Sequence, residues 1–535
     1  MTMHHPLLAP LRAGLGAACL LVALSACGGG DGDAPPAPNA DTVKQATALL
    51  GTLVPQWLAR TGVPGAAVSV VFEGKTVYAK GFGLRRVDEA APVDADTVFQ
   101  LASVSKPVGA TVMAAHMPGA DGASGAAGVP AIDWNTPIQR LLPDFRLAYP
   151  DPADNARLTL GDLYAHRSGL PDHAGDVLED MGYGRADILQ RLRDAALKPY
   201  GGYDYTNFGL TAAAQAMAQA QGTDWATLSE QSLYRPLGMA HTSSRHADYA
   251  AQANRAWGHV QEDVSYASYG AQPARYVVQQ PPRQPDAQSP AGGVSSSVAD
   301  MAQWMKLVLA QGQWQGHALA SPAALQAAMT ARPGGNYGYG FNVGTDPMGH
   351  ASVSHSGAFV MGAATSFILW PQARLGITVL TNAQPRGLPE AIALAFGAQA
   401  WGGTAPPTDW LAFMQDKLHG LYLPAGRFAG LPPPAAPKPA QPLSSYAARY
   451  RNAYFGDAQV TPNATGDALE LTIGPAAARY PLRHWDGDVF VFTPRGESAA
   501  PGSVSAVTFA PGQMQIELYS EDLAHGLFQR VAGPP

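Results

Sequence analysis

A proline run, LPPPAAPKPAQP (431–442), limits what can fold on either side of it. Each proline fixes φ and removes a backbone donor, so the run continues neither a helix nor a central strand and reads as a stiff spacer. After it come short alternating runs, LELTI (469–473), VFVFTP (489–494), AVTFAP (506–511) and QIELYS (515–520), separated by turn residues. That pattern predicts a small antiparallel barrel or sandwich. Before it, helical and strand signals alternate. A chain of 535 residues exceeds what one core ordinarily serves, so at least two domains are expected.

Upstream of the spacer, VPGAAVSVVFEGKTVYAKGFG (63–83) reads as two strands turning at Glu73-Gly74, and ITVLTN (377–382) as another strand. MAQWMKLVLAQG (301–312) and TNFGLTAAAQAMAQAQG (206–222) have helical spacing and stop at glycine. The segment ADGASGAAGVPA (120–131) is a low-complexity loop insertion, and residues 28–42, rich in Gly, Asp, Pro and Ala, form a tether. The net charge is −7 with no basic run, which argues against nucleic acid as a partner.

At the N-terminus, Arg12 precedes an apolar run, Ala13 to Ala23, too short to span a bilayer. It ends in Leu24-Ser25-Ala26-Cys27, which resembles a bacterial lipobox. The resemblance implies removal of residues 1–26, lipidation of Cys27, and a membrane partner through that lipid. The location expected is the cell envelope, lipid-anchored at the outer membrane or facing the periplasm; Gly28 rather than Asp after Cys27 favours outer-membrane retention. Ordinary secretory cleavage after Ala26 competes, but favours a small residue where Leu24 stands. Cys19, the other cysteine, lies in the removed segment, so no disulfide is expected.

Three short stretches could carry chemistry. In FQLASVSKP (99–107), Lys106 is the only one of eight lysines with serine three positions earlier. On a helix that spacing stacks Ser103 and Lys106 one turn apart, and an amine against a hydroxyl can activate a nucleophile. Ser103 as a mere cap and Lys106 as a solvated charge is the plainer reading. In YDYTNFGL (203–210), Tyr205 is either a buried phenol or, beside an ammonium, a proton carrier, and Asn207 offers an amide suited to gripping a substrate amide. In SVSHSGAFVMG (352–362), His355 sits on a strand, Gly357 allows close backbone approach, and the Ala358 N–H could serve as an oxyanion donor.

Together these resemble the class C β-lactamase and penicillin-binding-protein group of serine hydrolases, whose order is Ser-x-x-Lys, Tyr-x-Asn, then a Lys- or His-containing triplet ending in Gly. GVPGAAVSVV (62–71), LTLGDLYAHRSGLPDH (158–173), YRPLGMAHTS (234–243), SPAGGVSSSVADMAQWM (289–305) and YGYGF (337–341) follow the same order, over about residues 50–400. The resemblance implies an α+β, β-lactamase/transpeptidase-like fold: an antiparallel sheet flanked by helices plus an all-helical part, over residues 43–405. A linker (406–442) and a lipocalin-like barrel (443–535) would follow. SSYAARYRNAYFGDAQV (444–460), PLRHWDGDVFVF (481–492) and GLFQRV (526–531) carry that second likeness. Its aromatics, Tyr450, Tyr454, Trp485 and Phe490, are expected to be core.

Carried over, the resemblance makes Ser103 the nucleophile at a helix N-terminus, Lys106 and Tyr205 its proton carriers, and the Ser103 and Ala358 N–H groups the oxyanion hole. Asn207, His355 and Gly357 would line the substrate. No metal or cofactor is called for, and the histidines show no H-E-x-x-H spacing. β-Lactamases of this group usually carry Lys-Thr-Gly where His355-Ser356-Gly357 stands. Histidine is mostly neutral at pH 7, so a permanent anchor for a substrate carboxylate is missing there. The expectation is an acyl-enzyme hydrolase of D-amino-acid peptides or small esters, with β-lactams as weaker substrates. A penicillin-binding DD-carboxypeptidase or β-lactamase is the nearest rival, and a catalytically silent scaffold binding wall fragments the more distant one. An α/β-hydrolase is excluded, because the nearest approach to G-x-S-x-G, Gly122 to Ala126, lacks the last glycine. The oligomeric state is not legible.

Overall fold

The structure is a computed structural model describing residues 37–118, 131–262, 273–403, 408–519 and 526–532. The lipobox, Cys27 and nearly all of the 120–131 insertion lie outside the described residues. No helix among the described residues is long and apolar enough to cross a membrane.

Strands β1 (Gly65–Phe72) and β2 (Lys75–Gly83) form the expected hairpin. Its turn residues Glu73 (φ 48°) and Gly74 (φ 76°) are both left-handed, the conformation that matches strand twist. With β3 (Asn342–Thr345), β4 (Ala351–Phe359), β5 (Ala363–Trp370) and β6 (Leu375–Thr381) they build a six-stranded antiparallel sheet ordered β2-β1-β6-β5-β4-β3.

Every residue of β1 is buried, because both faces of the sheet are covered. Successive side chains point to opposite faces. Ala66, Val68, Val70 and Phe72 therefore join the core under helices α1 (Ala40–Thr61) and α6 (Leu388–Ala400). Ala67 and Val71 join the core of the helical part, which contains α2 (Ser105–Ala115), α3 (Asp176–Asp180), α4 (Asn207–Ala220) and α5 (Val298–Leu309). The helices expected at 206–222 and 301–312 are α4 and α5, with Gly222 and Gly312 in left-handed conformation beyond their ends. Strand β3 pairs only with residues 351–354 of β4, so the 355–359 half of β4 is an open edge.

The C-terminal part is a closed eight-stranded antiparallel barrel. Its strands are β7 (Ala448–Asn452), β8 (Gly456–Pro462), β9 (Leu469–Ile473), β10 (Ala478–Asp486), β11 (Val489–Phe492), β12 (Ser505–Ala510), β13 (Gln513–Ile516) and β14 (Leu527–Arg530). Strand β14 closes it on β7 through Tyr450 and Arg530. Tyr450, Tyr454, Trp485 and Phe490 are all buried; Tyr450, Tyr454 and Phe490 belong to the core, whereas Trp485 stacks on Phe428 of the preceding segment with ring centroids 4.4 Å apart. The barrel rests on the helical part next to α3. Arg191 donates to the carbonyls of Ala453 and Tyr454, and the Tyr183 hydroxyl to that of Phe455.

The expected boundaries need two corrections. The tether does not reach residue 42, because α1 starts at Ala40, where Asn39 accepts from the Asp41 and Thr42 amides in a reciprocal capping box. Nor is 406–442 simply a linker. Helix α7 (Trp410–Leu418) buries Leu411 and Met414 in the core under the sheet, and the Tyr422 hydroxyl donates to Pro385 O at 2.8 Å. The proline run itself lies along the barrel, with Lys438 bonded through its backbone to Asp486 and Gly487.

Candidate active site

The nucleophile segment follows a short extended stretch and turns abruptly. Ala102 takes a left-handed φ of 47°, uncommon for a residue with a Cβ, and opens a 3-10 turn over Ala102–Val104 that feeds α2. Ser103 therefore sits in this turn, just ahead of α2, rather than on the α-helix itself. It is part-exposed, whereas Lys106, on the first turn of α2, is fully buried. The i, i+3 spacing does bring them together: Lys106 Nζ lies 3.1 Å from Ser103 Oγ.

A buried ammonium must have hydrogen-bond partners. Lys106 Nζ donates to Asn207 Oδ1 at 2.7 Å and to Ala291 O at 3.0 Å. Both oxygens only accept, so two of its hydrogens are committed there. Ser103 Oγ can donate or accept, so the contact between Nζ and Oγ accommodates the proton on either side. The Tyr205 hydroxyl reaches the same Oγ at 2.8 Å, and Nζ stands 4.5 Å from the Tyr205 ring centroid. Alcohol, amine and phenol thus converge within hydrogen-bonding reach.

Tyr205 is placed by the start of α4, where Thr206 is the N-cap and Asn207 the first helical residue. Asn207 Nδ2 donates to Asp176 Oδ2 at 2.8 Å, and the carboxylate fixes the amide orientation, since it can only accept. Asp176 Oδ2 also meets His173 Nδ1 at 2.6 Å. The imidazole of His166 packs 4.5 Å from the Tyr205 ring and accepts from the Thr206 amide; burial holds it well below the usual histidine range, hence neutral. Asp176→Ala is expected to lower kcat/KM by about 10²-fold, because Asn207 and Lys106 lose their alignment. Steady-state kinetics on the folded variant measures it.

The opposite wall is the open edge of β4. Here the absence of a side chain at Gly357 has a steric cause: a Cβ would stand 2.3 Å from Leu101 O and from Thr365 Oγ1, and 3.0 Å from Ser103 N. The Thr365 hydroxyl donates to Leu101 O at 2.6 Å, pinning the nucleophile segment to β5. This contact sets the backbone of Ser103 beside the Gly357-Ala358 edge.

Two of the expected substrate-lining side chains also have partners within the protein. Asn207 holds Lys106 through its Oδ1 and spends one of its two Nδ2 hydrogens on Asp176. His355, on β4, is likewise engaged within the protein. It is 2% exposed, its Nδ1–H donates to Ser356 O at 2.6 Å, and its Nε2 accepts from the Tyr337 hydroxyl at 3.0 Å. Burial, then the nearby Lys106 charge, lower its pKa to about 3. The unfolded chain therefore takes up this proton near pH 6.5 and the folded one only near 3. Stability falls as pH drops through that window, by at most ~1.4 kcal/mol per pH unit for this group. Thermal unfolding between pH 7 and 4 should show the slope, and His355→Gln should flatten it.

Sequence reasoning did not assign Asp176, His166, His173 or Tyr337. Three of them lie in stretches already noted for their likeness, YAHRSGLPDH and YGYGF, but nothing in their spacing marks them as partners of Tyr205, Asn207 and His355. Among the described residues no cluster of His, Cys, Asp and Glu could hold a metal ion.

Comparison with known proteins gives the following. A family model described as Beta-lactamase matches residues 41–400, and one described as a domain of unknown function (DUF3471) matches 432–517. The chain is 24% identical over 506 residues to an unguisins hydrolase, ungD, of Aspergillus violaceofuscus, covering 85% of this chain and 83% of that one. It is 26% identical over 387 residues to esterase EstB of Burkholderia gladioli, covering 65% and 93%. A solved octameric penicillin-binding protein homologue from Pyrococcus abyssi superposes with a TM-score of 0.55 at 20% identity, covering 90% of this chain and 99% of that one.

Proposed function

From its membership of the Beta-lactamase family, a family of serine hydrolases, we propose that this chain hydrolyses uncharged esters and amides, D-amino-acid peptides among them, through a Ser103 acyl-enzyme. The relatives named as a hydrolase and an esterase support acyl transfer in general. The observation that carries the substrate class is at β4: His355 is neutral, buried and engaged at both ring nitrogens. A substrate carboxylate would find no positive charge at that position.

In the proposed reaction Ser103 Oγ attacks the acyl carbon and its proton passes to Tyr205 as a phenolate beside the Lys106 ammonium, or to Lys106 as a neutral amine. The carbonyl oxygen becomes an oxyanion facing the Ser103 and Ala358 N–H groups, where each donor is worth ~3–4 kcal/mol. The intermediate collapses, the C–O or C–N bond breaks, and the leaving group departs with that proton. Water then adds to the acyl carbon, giving its proton to the same relay, and releases the acid with Ser103 restored.

Intact-mass spectrometry after exposure to a neutral ester, a D-peptide amide, its free carboxylate and a penicillin tests this reading. Transient acyl adducts from the first two, with the free carboxylate at least about 10-fold slower, are expected. Stable penicillin adducts would favour a penicillin-binding DD-carboxypeptidase, fast penicillin turnover a β-lactamase, and no adduct from any of them a binding scaffold. His355→Lys should shift preference toward the carboxylate-bearing substrate. The envelope location is part of the proposal: Cys27→Ala in the full-length precursor is expected to move the protein from membrane to soluble fractions.

A further inference from the structure

We propose that the C-terminal barrel completes the acylation site: Glu497, on the loop between β11 and β12, holds the Phe359–Gly362 turn and thereby keeps the Ala358 N–H in line with Ser103. This rests on the reading of Ala358 as oxyanion donor. Among the described residues the edge of β4 past residue 354 has no strand partner on the β3 side, so β5 alone pairs with its end. Glu497 accepts from the Val360 amide at 2.5 Å and the Met361 amide at 3.3 Å, the first two residues beyond β4.

Glu497 is itself held from the catalytic side. Its own amide and that of Ser498 donate to Asp180, at 3.1 and 2.9 Å, at the end of α3. Gly496, at φ 112°, allows the approach, since a Cβ there would stand 2.6 Å from the Asp180 carboxyl carbon. Arg283 links these parts. It pairs with Glu179, lies 3.9 Å from Glu497, sits over the Phe359 ring at 5.0 Å, and accepts through its carbonyl from Gln100, three residues before Ser103.

Such a cluster is costly. Burial pushes Glu497 up to about 7 and raises Glu179 and Asp180 as well, against the pull of Arg283. Domain docking alone does not need it, because the Arg191 and Tyr183 contacts already join the barrel to the helical part. What it adds is a carboxylate gripping the turn that ends the oxyanion strand.

The test uses the full chain with Glu497→Ala, Glu497→Gln and Arg191→Ala, measuring hydrolysis of p-nitrophenyl butyrate, thermal unfolding, and hydrogen exchange of the amides from 357 to 362. Glu497→Ala should lower kcat by about 10- to 100-fold with KM changed less than about 3-fold, and speed exchange at 358, 360 and 361. Glu497→Gln, which keeps one carbonyl acceptor, should fall between and carries the test if the alanine variant does not fold. Arg191→Ala should lower the unfolding temperature and leave kcat alone. Unchanged kcat in both Glu497 variants, or an equal loss in Arg191→Ala, would overturn the inference. A wild type that turns nothing over would instead defeat the hydrolase reading; exchange at Ala358 would then decide the clamp, and unchanged exchange there would refute it.

Discussion

Lys106→Met is expected to lower kcat/KM by about 10⁴-fold while the protein stays folded. The two effects separate because they have different origins. Methionine nearly fills the lysine volume and removes a buried charge, which favours the folded state. Against that, Asn207 Oδ1 and Ala291 O lose their donor, at ~1–3 kcal/mol each. These contributions largely offset, so the unfolding temperature should move little. Nothing offsets the chemical loss, because Ser103 Oγ is left with Tyr205 alone for proton transfer. Stopped-assay kinetics together with calorimetry on one preparation would separate the two. A variant that unfolds, or one that keeps a tenth of the activity, would count against the relay.

Gly357→Ala should be the second severe change, for a steric reason. The new methyl would meet Leu101 O and Thr365 Oγ1 at 2.3 Å, and the first of these is backbone that cannot step aside without moving Ser103. Overpacking of this kind costs ~1–3 kcal/mol, or roughly 1–2 °C per kcal/mol in a domain of this size. Displacing the Ser103 and Ala358 amides should remove about 10²–10³-fold in kcat as well. Ser356→Ala, one residue away but on the other face of β4, is the control and should change kcat less than about 3-fold. Equal losses at the two positions would show that the strand tolerates no change rather than that the contact with Ser103 matters.

What was legible in the sequence follows the range of each signal. The hairpin at Glu73-Gly74 and helices α4 and α5 are encoded by local turn chemistry and periodicity, and both appear within a few residues of the expected bounds. The Ser103–Lys106 contact is likewise local, one turn of chain. Tyr205 was placed by resemblance, because no spacing rule joins residues about a hundred positions apart. The engagements of Asn207 with Asp176 and of His355 with Tyr337 were missed for the same reason. Glu497 lay further still from view: it belongs to the barrel, and only the docking of β11–β12 against α3 brings it to the end of β4. The Asn39 cap was a different kind of miss, a readable local signal hidden in a tract judged by its composition.

The most direct measurement is covalent labelling of the folded protein with a fluorophosphonate, read by intact mass and peptide mapping in wild type and Ser103→Ala. One phosphonyl adduct per chain, on the peptide containing Ser103 and lost in the variant, is the predicted result. An unlabelled wild type, or the same adduct in both proteins, would contradict the claim that alcohol, amine and phenol form a working nucleophile.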